Sequence, residues 1–274
     1  MIFRRGGFPL YTTKEDIDFL GEMVKKSPYV ACNSDYRKKA DDTKVTFASN
    51  EDLVNAYAQS FDDTSHKITM LNGICNASKL MGVALAYFNK NPDKKSAAGR
   101  LALSCRWIGN EIIDNNYKCP VSLIRKGLKD LCYKTDGMIG IDAKSYAAGG
   151  ILAIVGHEQG HICLSHTLQG GDYSDEMSRN NERQADLFGC NVSVTTPFAT
   201  HIVLATLFGE VLFNWMIGNE QIATTHPHSR ERVFNTIRAH DTILAELGIT
   251  EDNIHWFIPP EDPESEESEE TSEE

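Results

Sequence analysis

The chain has 274 residues, 41% hydrophobic and 24% charged, which is enough for a buried core without staples and excludes a fibrous protein. Its formal charge is −12, but nine of the carboxylates lie in residues 261–274, so the remainder is near −3 and offers no clustered basic face for nucleic acid. Seven scattered cysteines without a C-x-x-C pair, and an N-terminus without an apolar run of signal-peptide length, set the expectation of reduced thiols and a cytoplasmic location.

Residues 1–135 read as a helical scaffold region. A first helix is expected near Lys14 to Lys26 after the cap candidates Thr12 and Thr13, followed by a loop over CNSDYRKKADDTK and at most a short strand at Val45-Thr46-Phe47. Asn50 is a cap candidate for a helix over Leu53 to Phe61. Apolar residues at Leu71, Cys75, Leu80, Ala84 and Phe88 predict a helix over Ile68 to Asn89. Two more helices are expected near Ala97 to Ile113 and Val121 to Tyr133. Next, Asp136 to Asp142 is a short apolar run bounded by glycine and aspartate. It reads as an edge strand able to pair with an extended peptide, or as a tight loop.

Residues 136–257 carry the chemistry. Ser145 to Thr167 is a proline-free run of apolar and small residues that predicts a buried helix with His157-Glu158-Gln159-Gly160-His161 at its centre. Four residues apart, His157 and His161 share a helix face about 6 Å apart along the axis, a spacing that suits two ligands of one tetrahedral metal ion. Glu158 lies round the helix, placed to reach a water in an open metal position. His166 is off the ligand face and needs no role. Gly156 and Gly160 leave a shallow strip for a second helix, which follows after the Gly170-Gly171-Asp172 turn. On it Glu182, 21 residues beyond His161, supplies a third ligand. Asp186, one turn further, is placed to accept the free N–H of a ligand histidine. Phe198 to Ile217 is long enough to span a bilayer, but His201, Glu210 and Asn214 interrupt it. It reads as a buried core helix with those groups partnered, and no membrane contact is expected. Residues 258–274 read as a disordered acidic tail, either solubilising or docking a partner.

The H-E-x-x-H pentapeptide followed by E-x-x-x-D resembles the gluzincin zinc metallopeptidases. Asn181 to Gly189 is similar to the thermolysin-type spelling, and E-x-x-A-D to that of HtpX-like peptidases. Thr225 to Val233 is similar to the H-P-x-x-x-R segment of the latter group. There the resemblance implies His226 and an arginine, Arg230 or Arg232, facing the substrate carbonyl as oxyanion donors. Small soluble peptidases of the phage-exclusion Lit type are a looser resemblance. The likeness covers roughly residues 147–232 and departs from the HtpX-like group in lacking its membrane topology.

The expected fold is α+β and predominantly helical, with a zincin-like metallopeptidase core, an N-terminal helical region and little sheet. The expected activity is a zinc-dependent endopeptidase, with Zn²⁺ held by His157, His161 and Glu182, Glu158 as general base, and a protein or peptide as substrate. Two alternatives stay open, a non-catalytic zinc-stabilised helical interaction module and a zinc hydrolase of a non-peptide amide.

Overall fold

The computed structural model describes residues 8–168, 174–196, 199–217 and 229–258. Among the described residues the fold is mainly helical with one small sheet. Helix α1, Lys14–Lys25, opens on a capping box in which Thr13 and Asp16 satisfy each other's backbone N–H groups at 3.2 and 3.1 Å. After the short α2, Pro28–Ala31, the expected loop is instead α3, Ser34–Asp41. Its composition hides it, since Ala40 is its one buried residue. What holds it is the Asn33 cap, accepting from two backbone N–H groups, and tertiary contact through Tyr36, whose ring lies 5.3 Å from that of Phe188.

Strands β1, Thr43–Ala48, β2, Ala56–Asp62, and β3, Ser65–Leu71, form a sheet of order β1-β3-β2, with β1 parallel and β2 antiparallel to β3. The helix expected over Leu53 to Phe61 is therefore β2. Exposure alternates residue by residue from Asp52 to Ser60, a period of two that the alanines' helix preference does not override. Central strand β3 buries Ile68, Met70 and Leu71. A strand covered on both faces shows no alternation, which is why Ile68 to Leu71 passes for the start of the following helix. That helix, α4, begins at Asn72 and runs to Lys90.

Helices α5, Lys94–Asp114, and α6, Val121–Asp130, lead to α7, Gly137–Cys163. The run at Asp136 to Asp142, read as an edge strand or a tight loop, is instead the first turn and a half of α7. Among the described residues no strand pairs with it, and Met138 and Ile141 face outward, 62% and 51% exposed. Helix α7 packs against α4, α8 (Asp175–Val194), α9 (Ala199–Ile217), α1, α3 and β2. Its N-terminal half joins an apolar cluster with α4, α5, α6 and α9. Its C-terminal half joins a second cluster with α1, the sheet and α8. Residues on both sides of position 135 contribute to each cluster. Helices α10, Ser229–Ala239, and α11, Asp241–Glu246, close the chain over α9.

Among the described residues two helices, α7 and Ala199–Met216 of α9, are long and apolar enough to cross a membrane by length and composition, and more than half of each such stretch is buried against the rest of the fold.

Lys79 on α4 is 4% exposed and donates to the Leu10 carbonyl at 3.1 Å. Burial pushes its pKa down to about 8, against the opposing pull of Cys75 and Asp16. The unfolded chain, with an ordinary lysine pKa near 10.4, binds more protons between these values, so stability rises with pH across that window. Lys79→Met is expected to stabilise the protein at pH 7 by roughly 1–3 kcal/mol and to flatten the gain between pH 8 and 10. Urea denaturation at pH 7 and pH 9.5 measures both, and a parallel rise in wild type and variant would refute the assignment.

Candidate metal centre

The ligand helix and its partner approach closely because both are cut away at the crossing. A Cβ on Gly160 would stand 3.0 Å from Phe188 Cβ and 3.1 Å from Ala185 Cα, so a larger residue there would require α8 to give way by a few tenths of an ångström. This approach brings Glu182 of α8 to the two histidines of α7. His157 Nε2 and His161 Nε2 are 3.1 Å apart, and the Glu182 oxygens lie 3.3 Å from the first and 3.2 Å from the second. All three side chains are largely buried, at 16%, 14% and 11% exposure. A tetrahedral ion with bonds of about 2.0–2.1 Å separates its ligands by about 3.3 Å, close to the spacing of each histidine from its nearer Glu182 oxygen; taken with a single carboxylate oxygen, the three ligand atoms lie within 4.8 Å of one another.

The outer partners decide which way the lone pairs point. Asp186 Oδ1 lies 2.9 Å from His157 Nδ1, and a carboxylate there calls for an Nδ1–H donor. His157 Nε2 then presents its lone pair to the centre. His161 Nδ1 lies 3.1 Å from Nδ1 of His166, whose Nε2 is 3.3 Å from Gln184 Oε1. With Gln184 accepting from Nε2–H, His166 Nδ1 accepts from His161 Nδ1–H, and His161 Nε2 is likewise a lone pair. Two imidazole lone pairs and a carboxylate converge on one point, an arrangement that calls for a positive charge at its centre. His157, His161 and Glu182 thus form a group able to hold a metal ion. A proton can meet the same demand. Burial would lower the His157 pKa, but Asp186 and Glu182 outweigh it and raise it to about 10, so a metal entering this site would displace a proton.

Asp186 is gripped in turn by Arg232 of α10 in a two-pronged pair, Nε to Oδ2 at 2.8 Å and Nη2 to Oδ1 at 2.6 Å. Burial alone would raise the Asp186 pKa, yet Arg232 and His157 together hold it below the usual carboxylate value. Of the two arginine candidates it is Arg232 that lines the site, while the Arg230 guanidinium stands 5.7 Å from the centroid of the Phe234 ring. His226 lies outside the described residues, as do the Gly170 to Asp172 turn and residues 259–274 of the acidic tail.

Glu158 is 9% exposed and faces the same cavity as the three candidate ligands. Burial raises its pKa and the two histidines oppose that rise, while the Ala58 N–H of β2 donates to its carboxylate. That contact places edge strand β2 directly beside the motif. An edge strand thus lies at the site, but it is β2; the expectation of one at Asp136 to Asp142 is not met, since those residues begin α7. Ser60 fastens β2 in place through His66 Nδ1 at 2.7 Å and Thr167 Oγ1 at 2.5 Å. His201 stacks on Tyr146 at 4.7 Å, whereas Glu210 lines the cavity and accepts from Thr236 Oγ1 at 2.9 Å.

His166 is the site residue that sequence spacing misses. Helix α7 ends at Cys163, and Ser165 has φ +64, so the chain turns back and sets His166 against His161 from outside the helix. No helical periodicity marks such a residue. His166→Ala is expected to weaken metal binding about 10- to 100-fold, as loss of an orienting partner does, and His166→Asn to restore part of it. Competition with a chromophoric chelator measures both. Unchanged affinity in the alanine variant would remove His166 from the site.

Compared with known proteins, the chain matches no family model, no curated protein sequence and no solved structure.

Proposed function

We propose that this protein is a zinc-dependent metallopeptidase of the gluzincin type, built on a zincin-like core. The observation that carries the reading is the meeting of two Nε2 atoms 3.1 Å apart with the two oxygens of one carboxylate, each 3.2–3.3 Å from its nearer histidine, opening on a cavity that Glu158 shares. Among the described residues the ligand group has three members, which fits a catalytic site that keeps a position open better than a structural site closed by four. The donor set of two imidazoles and a carboxylate suits zinc.

When bound there, zinc supplies a Lewis acid for the scissile carbonyl and lowers the pKa of a water toward neutrality. Glu158 takes the proton of the attacking water and returns it to the leaving amine, a task that its raised pKa favours. Asp186 and His166 hold the two ligand imidazoles in the tautomer that turns Nε2 inward. Arg232 neutralises Asp186 and fixes its position. Strand β2 is what favours a peptide over another amide. It lies at the edge of the sheet and lines the cavity, so an extended substrate can add to it through backbone hydrogen bonds beside Glu158. The test is metal analysis of the purified protein together with cleavage of unfolded casein with and without a chelator. Stoichiometric zinc with chelator-sensitive cleavage supports the reading, and a protein that takes up no zinc refutes it.

A further inference from the structure

The ligand triangle and Glu158 form only one end of a cavity of about 580 Å³. From the metal centre it continues between α4, α7 and α9, where its wall is apolar, with Ile74, Met81, Ile154, Leu212, Phe213 and Met216 among its lining residues. Its volume is that of a pocket for a sizeable organic group, more than a single water-filled metal site requires. Small residues keep it open. A Cβ on Gly209 of α9 would meet nothing within 4 Å, and one on Gly150 of α7 only ordinary contacts with Ser78 and Ala205 at 3.4–3.7 Å. Neither glycine is needed for helix packing, and each costs its helix about 1 kcal/mol relative to alanine.

Most charged groups of the cavity lie at its metal-centre end or have a partner, and Glu210 accepts from Thr236 through one of its two oxygens. Arg232 is paired with Asp186, and Glu182 faces the two histidines. Burial raises the Glu210 pKa to about 8. A cationic side chain entering between the apolar walls of α4, α7 and α9 would give up its hydration against Ile74, Met81, Leu212 and Met216.

We propose that the part of this cavity between α4, α7 and α9 is a specificity pocket that takes a bulky apolar side chain, aromatic or long aliphatic, from the substrate residue beside the scissile bond. The proposal rests on the metallopeptidase reading, because continuity with the metal centre is what places the side chain next to the reacting carbonyl. The pocket selects against lysine and arginine, and against residues too small to fill it.

Binding tests this without turnover. The zinc-loaded protein is titrated calorimetrically with N-acetyl-amino-acid hydroxamates of glycine, phenylalanine and lysine, whose hydroxamate anchors each compound on the metal. The phenylalanine compound is expected to bind roughly 10- to 100-fold tighter than the glycine compound, the gain of burying one aromatic side chain, and the lysine compound no tighter than glycine. Gly209→Phe, which fills the pocket from α9, should erase the phenylalanine gain with zinc content unchanged. Gly150→Leu should do the same from the α7 wall. Equal affinity for the glycine and phenylalanine compounds overturns the pocket while leaving the metal centre standing, and a lysine compound as tight as phenylalanine overturns its apolar character. No zinc uptake sinks the metal centre and the pocket together.

Discussion

Replacing Glu158 by glutamine is expected to lower the rate of peptide hydrolysis by about 100- to 10,000-fold while the protein keeps its zinc. The two outcomes separate because Glu158 is not part of the ligand triangle, whose atoms belong to His157, His161 and Glu182. Glutamine retains the shape and can still accept the Ala58 N–H, so the fold around β2 should persist. What is lost is a base able to hold a proton between attack and departure of the amine. By contrast, Glu182→Gln removes a charged ligand and should reduce the zinc content itself. Metal analysis and casein hydrolysis on the two variants side by side decide the roles. Zinc lost from the Glu158 variant, or hydrolysis within a few-fold of wild type, would contradict the base assignment.

The second large effect concerns stability. Arg232→Met is expected to destabilise the fold by about 3–5 kcal/mol, the usual consequence of leaving a buried charge without its partner. Asp186 and Arg232 are 16% and 15% exposed and joined by two short bonds, so little water is at hand to replace the guanidinium. Removing the carboxylate as well, in Asp186→Asn with Arg232→Met, should recover a large part of that loss, because the uncompensated charge is then gone. Urea unfolding of the wild type, both single variants and the double variant gives the coupling directly. Additive losses would mean that the pair contributes nothing beyond its separate packing. The pair also links the site to the C-terminal helices, since Arg232 belongs to α10 and Asp186 holds His157 of α7. Weakened zinc binding should therefore accompany the loss of stability.

Parts of the fold could be read in the chain and parts could not. Helices α1, α4, α5 and α6 carry apolar residues at helical spacing and lie close to where that spacing puts them. Helix α3 carries almost none and is held by a cap and by neighbours distant in sequence, so periodicity passes over it. Of the sheet, β1 contains the short strand expected at Val45 to Phe47, while β2 and β3 escaped for two opposite reasons. Strand β2 alternates, but in alanines and polar residues that also suit a helix, while β3 is buried on both faces and shows no alternation. The run at Asp136 to Asp142 has strand composition without a partner strand, and it continues the helix that follows.

Sequence by itself determined the local pairings within the candidate site. Spacing of four on one helix places His157 and His161 side by side with Glu158 next to them, and spacing of four on the next places Asp186 one turn beyond Glu182, because helical geometry is local and regular. Only the tertiary structure decided that Glu182 meets the two histidines, that Arg232 and not Arg230 reaches Asp186, that His166 turns back onto His161, that β2 supplies the edge beside Glu158, and that α4, α7 and α9 stand far enough apart to leave a cavity behind the candidate metal centre. Each of these joins segments set by packing and by the direction a chain takes after a helix ends. Such contacts depend on which surfaces bury one another, and the residues that make them carry no mark in the order of the chain.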